Sequence, residues 1–186
     1  IHETIAGLNS KIYFMSRVSA ELTKMSLNCF LTTKISFANM VGDLALKIGA
    51  DPVSVLSAVG ADNRIGNAYF KHGFGFGGPC FPRDNRAFIR CAKDNSMSYD
   101  LCAASDEINN KHLDFQIEYF MANNDIEEPV RMEHVTFKKH TDSLEESQQL
   151  KFAVALAKNG YKVIINESDI VVEKLKRSFG DLFIYE

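Results

Sequence analysis

One of the four cysteines stands in surroundings unlike the others. Cys80 lies in the run Gly73-Phe-Gly-Phe-Gly-Gly-Pro-Cys-Phe-Pro-Arg-Asp84, which sets four glycines and two prolines around a single thiol. Glycine lets backbone approach a ligand closely or take positive φ, and proline fixes the direction of approach. A thiol on such a loop, beside the cation Arg83 and the carboxylate Asp84, has the makings of a presented nucleophile. The competing reading is a small buried hydrophobe, the ordinary condition of a free cysteine. Local composition leaves both open.

The other cysteines, Cys29, Cys91 and Cys102, fall within helical patterns and read as packing residues. There is no Cys-x-x-Cys, and the five histidines are scattered, so no metal site is expected. Reduced thiols point to a cytoplasmic setting.

The elements that must position Cys80 are mostly helical. From about 10 to 48 there is no proline, and Ile12, Met15, Leu22, Met25, Cys29, Phe30, Ile35, Phe37, Met40 and Leu44 recur near spacings of three and four. Gly49 is a plausible stop. A helix of roughly 50 Å is longer than one small domain needs to cover itself, so it is expected to span two domains and to pack against a second copy. Lys24 and Asn28 are four apart and share one face. Asp51 and Pro52 open a short helix as N-cap and first helical residue. Residues 85–94 read as helical with Ala87, Phe88, Cys91 and Ala92 inward, and 99–121 as another helix.

The segment 123–131, with Asn-Asn-Asp, two glutamates and Pro129, carries the strongest linker signal. The division is therefore 1–125, mostly α, and 130–186, a partial α/β unit. In the latter, 134–137, 161–165 and 182–185 read as strands and 144–158 and 169–179 as helices, which predicts a parallel sheet.

With 186 residues, 46% hydrophobic and 24% charged, the chain has the composition of a soluble globular protein. The net charge of −3 gives no general attraction to nucleic acid or anionic membrane. No apolar run reaches the roughly 18 residues that span a bilayer. The chain begins at Ile1 rather than Met, as a piece of a longer protein would.

Gly73-x-Gly75-x-x-Gly78 satisfies the dinucleotide fingerprint in letters only. The motif needs a strand before it and a helix opening within it. A helical or irregular segment precedes it here, and Pro79 and Pro82 interrupt the residues after it. Its glycines are expected to expose backbone to another ligand.

Three separated stretches carry a resemblance. They are Ala20-Glu-Leu-Thr-Lys24-x-x-x-Asn28; Arg64-Ile-Gly66 with Gly75-Phe-Gly-Gly-Pro-Cys80-Phe-x-Arg-Asp84; and Phe137-Lys138-x-x-Thr141-Asp-x-Leu-Glu-Glu-Ser147. Together, in this order, they are similar to the nucleotide-sugar dehydrogenases of the UDP-glucose 6-dehydrogenase type. The resemblance implies the family's central helical dimerisation domain followed by part of a Rossmann-like C-terminal domain. The N-terminal domain that binds most of NAD would lie outside this chain.

The family's reaction, two hydride transfers to NAD that take a sugar C6 alcohol to a carboxylate, implies roles residue by residue. Cys80 would add to the intermediate aldehyde, and the thiohemiacetal would be oxidised to a thioester that water hydrolyses. Lys24 would stabilise oxyanions, while Asp84 and Asn28 would place water and assist proton transfer. Arg64, Tyr69, Phe70, Lys71, Phe76, Gly77 and Phe81 would contact the nucleotide sugar, Arg64 from across a homodimer formed by the long helix. Lys138 would reach it from the C-terminal unit.

Two departures bear on the cofactor. Arg83 stands where many members have Lys, and charge is kept. Glu145 stands where Arg contacts the cofactor, which reverses charge beside a pyrophosphate. The alternatives are a non-catalytic assembly module or degenerate homologue lacking the cofactor domain, and a thiol hydrolase pairing Cys80 with a histidine.

Overall fold

The computed structural model describes residues 12–186. Helix α1 spans Arg17–Ile48, about 48 Å at 1.5 Å per residue. Its start differs from the expectation: residues 12–16 are not helical, and 10–11 lie outside the described residues. The reason is a cap. The Ser16 hydroxyl accepts from the Ser19 N–H and ends the preceding extended chain. Gly49, at φ 78°, closes the other end in the left-handed conformation. Helix α2, Pro52–Gly60, begins as the sequence predicts, with Asp51 accepting from the Val53 and Ser54 amides.

Helix α3 covers Phe81–Asp94, so it opens before Asp84, with Pro82 inside its first turn. A proline is tolerated there because the first amides of a helix have no intrahelical acceptor. The inward face also needs correction. Asp84 and Asn85 are buried, whereas Ala87 and Cys91 are exposed, because α3 meets α1 through polar contacts. Thr32 donates to Asn85 Oδ1 at 2.9 Å, and Asn85 donates onward to Asp106. Asp106 belongs to α4, Asp100–Asn123, whose buried residues Cys102, Ser105, Asn109 and His112 follow helical spacing.

The remainder is the parallel α/β unit. Strand β1, Val130–Met132, pairs with β2, Val163–Ile165, and β2 with β3, Ile184–Tyr185, in the order β1-β2-β3. Helices α5, Gln148–Lys158, and α6, Asp169–Phe179, connect them. Ser147 caps α5, which therefore starts four residues later than the apolar pattern suggests. The first strand sits in the segment read as linker, not at 134–137. There the Val135 and Thr136 amides donate to the Glu167 carboxylate, which removes them from any ladder. Leu156, Ile165, Val171 and Leu175 lie at the centre of the core. No helix of the described residues is long and apolar enough to cross a membrane.

Candidate active site

Asp84 is the hub. It is 6% exposed and lies one turn into α3, facing α1. Asn28 Nδ2 donates to its Oδ2 at 2.6 Å, and Lys24 Nζ reaches the same oxygen at 3.4 Å. Arg83 donates to the other oxygen through Nε and Nη2, both at 3.1 Å. Helical spacing puts Lys24 and Asn28 on one face, so both reach one carboxylate. Burial alone would push the carboxyl upward. The hydrogen bonds from Asn28, Arg83 and Lys24 outweigh it and hold Asp84 below the ordinary carboxylate value. The side chains of Lys24 and Arg83 stay 60% and 65% exposed, so cations bound to Asp84 remain open to a ligand.

Cys80 is exposed at the N-cap of α3, and the Asp84 N–H donates to its carbonyl at 2.8 Å. Negative charge is favoured at that end of a helix. The loop before it is wedged against the C-terminal unit. The Gly78 N–H donates to the Glu145 carbonyl at 3.1 Å, and φ there is 80°. A Cβ on Gly77 would fall on the Glu146 carbonyl oxygen, and one on Gly78 on the Phe137 ring. These two glycines are therefore required for close approach between segments of the chain. Arg86 pairs with Glu146 across the same seam, and Lys151, five residues on from Glu146, pairs with it from within the C-terminal unit.

The remaining predicted residues divide by burial. Tyr69 is exposed at φ 59° and meets Phe81 edge-on, and Phe81 in turn meets Phe76. Phe70 and Phe76 are buried: Phe70 stacks on Phe37 against Ala38 and Leu56, and Asn109 holds both backbone groups of Phe76. Lys71 and Lys138 are exposed. Arg64 is also exposed and is paired with Asp62 two residues before it. Lys24, Asn28, Arg83 and Asp84 are thus joined directly, with Cys80 one turn away.

Cys91 is exposed as Cys80 is, but the other two thiols differ. Cys29 and Cys102 are buried, and burial, with Cys102 nearby, pushes the Cys29 thiol up to about 12. Sequence reasoning missed one constellation. Asp43, His72 and His112 come together with their polar atoms within 4.8 Å. Separations of 29 and 40 residues match no local motif, so only the fold could reveal it.

The chain matches the UDP-glucose/GDP-mannose dehydrogenase family, central domain, over residues 18–111. It is 44% identical over 93 residues to UDP-glucose 6-dehydrogenase TuaD of Bacillus subtilis, covering 50% of this chain and 20% of that protein. Against UDP-glucose 6-dehydrogenase YwqF of the same organism it is 32% identical over 159 residues, covering 84% and 36%. A solved UDP-glucose dehydrogenase from Pyrobaculum islandicum superposes with a TM-score of 0.80 at 35% identity, over 92% of this chain and 40% of that one. The chain thus spans between a fifth and two fifths of the length of these relatives. With Lys24, Asn28, Asp84 and the glycine-rich loop all inside the span 18–111, the chain belongs to the UDP-glucose/GDP-mannose dehydrogenase family.

Proposed function

We propose that this chain is the substrate-holding and dimerising portion of an NAD-dependent nucleotide-sugar dehydrogenase that oxidises a sugar C6 alcohol to the carboxylate, with UDP-glucose as the sugar nucleotide. The observation that carries the reading is the convergence of Lys24, Asn28 and Arg83 on Asp84, one helical turn from the exposed Cys80. NAD supplies the electron acceptor in this reaction class. The described residues offer it no cradle. The glycine run has no strand before it, and its Gly77 and Gly78 are filled by Glu146 and Phe137. Arg83 alone is assigned to the cofactor side, and Glu145, exposed nearby, would repel a pyrophosphate.

The chain's own residues work on the sugar. The Cys80 sulfur adds to the C6 aldehyde as a thiohemiacetal, which keeps a reactive intermediate from escaping. Lys24 offers its charge to the oxygen that becomes negative. Asp84, kept ionised, accepts a proton from the water that later hydrolyses the thioester, and Asn28 fixes its orientation. Tyr69, Phe70, Phe76, Gly77 and Phe81 are assigned to the nucleotide sugar, and Arg64, Lys71 and Lys138 supply cations for its diphosphate.

Assembly follows from α1. Phe30, Phe37, Leu44 and Ile48 are exposed along one side, an apolar face that a second copy would cover. A cytoplasmic homodimer completes the reading. The test measures iodoacetamide alkylation of Cys80 by mass spectrometry, with and without UDP-glucose. The reading expects protection by UDP-glucose that is lost in Lys24→Ala; equal labelling at saturating UDP-glucose would sink it. Joined to a cofactor domain, the protein should reduce NAD, and Cys80→Ala should abolish this.

A further inference from the structure

The loop that presents Cys80 is irregular, and side chains from two helices hold its first half. Asn39 and Asp43 share one face of α1; Asn109, His112 and Gln116 follow at three and four along α4. Asn39 accepts from the Gly73 N–H at 3.0 Å. Asn109 brackets Phe76, accepting from its N–H at 2.8 Å and donating to its carbonyl at 3.0 Å. Between these, His112 Nε2 donates to the Gly73 carbonyl at 2.6 Å, and its Nδ1 faces the two Asp43 oxygens at 2.9 and 2.8 Å.

Proton accounting follows from the partners. A carbonyl oxygen only accepts, so Nε2 carries a proton. Burial alone would raise the Asp43 carboxyl, but hydrogen bonds from His112 and His72 outweigh it and hold the group below its ordinary value. An ionised carboxylate also only accepts, so Nδ1 too faces an acceptor. The ring is 1% exposed, with an acceptor at each nitrogen. The titratable groups that face it are Asp43 from α1 and His72 from the loop. His72 Nε2 donates to Asp43 at 2.8 Å, and its ring occupies the space where a Cβ on Gly42 would lie. Gln116 adds a weaker donor to the Gly73 carbonyl at 3.3 Å.

The same three side chains have the types of a metal site, but their spacing favours protons. Nitrogen and oxygen stand 2.8 to 2.9 Å apart, a hydrogen-bond separation. Ligands held at 2.0–2.1 Å around a tetrahedral zinc stand about 3.3 Å from one another.

We propose that His112, charged and paired with Asp43, is a positioning residue that pins the glycine-rich loop at Gly73 and so sets where Cys80 is presented. Its importance for turnover rests on the function proposed above; the pin itself does not. The test uses the 186-residue chain, Asp43→Asn and His112→Gln. Nitrogen-15 NMR of the imidazole should show both His112 nitrogens protonated in the wild type and one in Asp43→Asn, which no longer holds the second charge. Glutamine at 112 keeps a donor but loses the ion pair. Hydrogen exchange at the Gly73 and Phe76 amides should therefore quicken about tenfold or more, while Val163 and Ile165 keep their rates. A singly protonated wild-type ring, an unchanged ring in Asp43→Asn, or unaltered exchange in both variants overturns the proposal. So does one equivalent of Zn²⁺ retained through gel filtration and lost in His72→Ala. Failure of UDP-glucose to protect Cys80 in the wild type would count against the proposed function and leave the pin standing.

Discussion

Beneath the parallel sheet, Leu156, Ile165, Val171 and Leu175 are fully buried within a continuous apolar cluster. Under α1 the corresponding cluster among the described residues is small: Ala38, Leu56 and Phe70, with Val41 and Val59 packed against them. What fills the helical unit instead is polar: Thr32, Ser36, Asn39, Asn85, Ser105 and Asn109 are all 5% exposed or less. Its larger apolar side chains, such as Phe30 and Leu44, point outward. The α/β unit is held by burial from water, which is non-directional. The helical unit is held by directional bonds, some between helices and some ending on the glycine loop. Geometry at Asp84 and along the glycine loop is thus set by the same contacts that hold α1, α3 and α4 together.

That contrast is broken most strongly in the α/β unit. Leu156→Ala leaves a cavity in the continuous core and should cost about 2–5 kcal/mol in urea unfolding. Cys80 alkylation in the remaining folded fraction should be unchanged, because the hydrogen bonds that hold Asp84 and the first half of the loop come from α1, α3 and α4. A change in that rate would show that the two units are not separable in this way.

In the polar unit the expected order reverses, with smaller losses of stability and larger effects on the site. Asp84→Asn removes the charge that Lys24 and Arg83 meet and should cost about 1.5–3 kcal/mol near neutral pH. The sign of its pH dependence is set by the depressed carboxyl. Asp84 contributes stability above the unfolded-state value, about 3.9, and loses it as pH falls through its lower folded value. The gap between wild type and Asp84→Asn should therefore narrow as pH falls below about 4 in denaturant melts. A gap that persists at the acid end would mean that shape, not charge, is what Asp84 supplies. Asn109→Ala, next in size at about 1–3 kcal/mol, strands both backbone groups of Phe76. Its exchange signature should be confined to residues near Phe76.

Much of this architecture was legible from residue types. The caps at Asp51 and Gly49, the helix at 169–179 and the strand-helix alternation all follow local rules that tertiary contacts did not override. The first strand was hidden because Val130–Met132 is only three residues long and follows Pro129 in a polar stretch. The apolar alternation at 134–137 misled because Glu167, far along the chain, captures its amides. Motifs single out Cys80, Asp84, Lys24 and Asn28, and of these the structure brings Lys24 and Asn28 onto Asp84. The burial of Asp84, the loss of Ala87 and Cys91 to the surface, and the pairing of His72 and His112 on Asp43 depend on how helices cross. No spacing along the chain encodes that crossing.

The smallest expected change in the monomer concerns the outward apolar face of α1. Phe30, Phe37 and Leu44 recur every seven residues and so stay within about 20° per step of one another around the helix. Phe30 and Leu44 are 64% and 59% exposed, so replacing both by Glu removes little burial within one chain and should shift its stability by less than about 0.5 kcal/mol. If a second copy covers this face, the double variant instead carries unpaired carboxylates into the contact, and association fails. Sedimentation velocity over a concentration series should show the wild type self-associating and the variant monomeric. The wild-type melting temperature should also rise with concentration while that of the variant does not. A wild type that stays monomeric throughout would leave the exposed face unexplained by assembly. The helical unit would then be stable on its polar seam alone, making the contrast with the α/β unit sharper still.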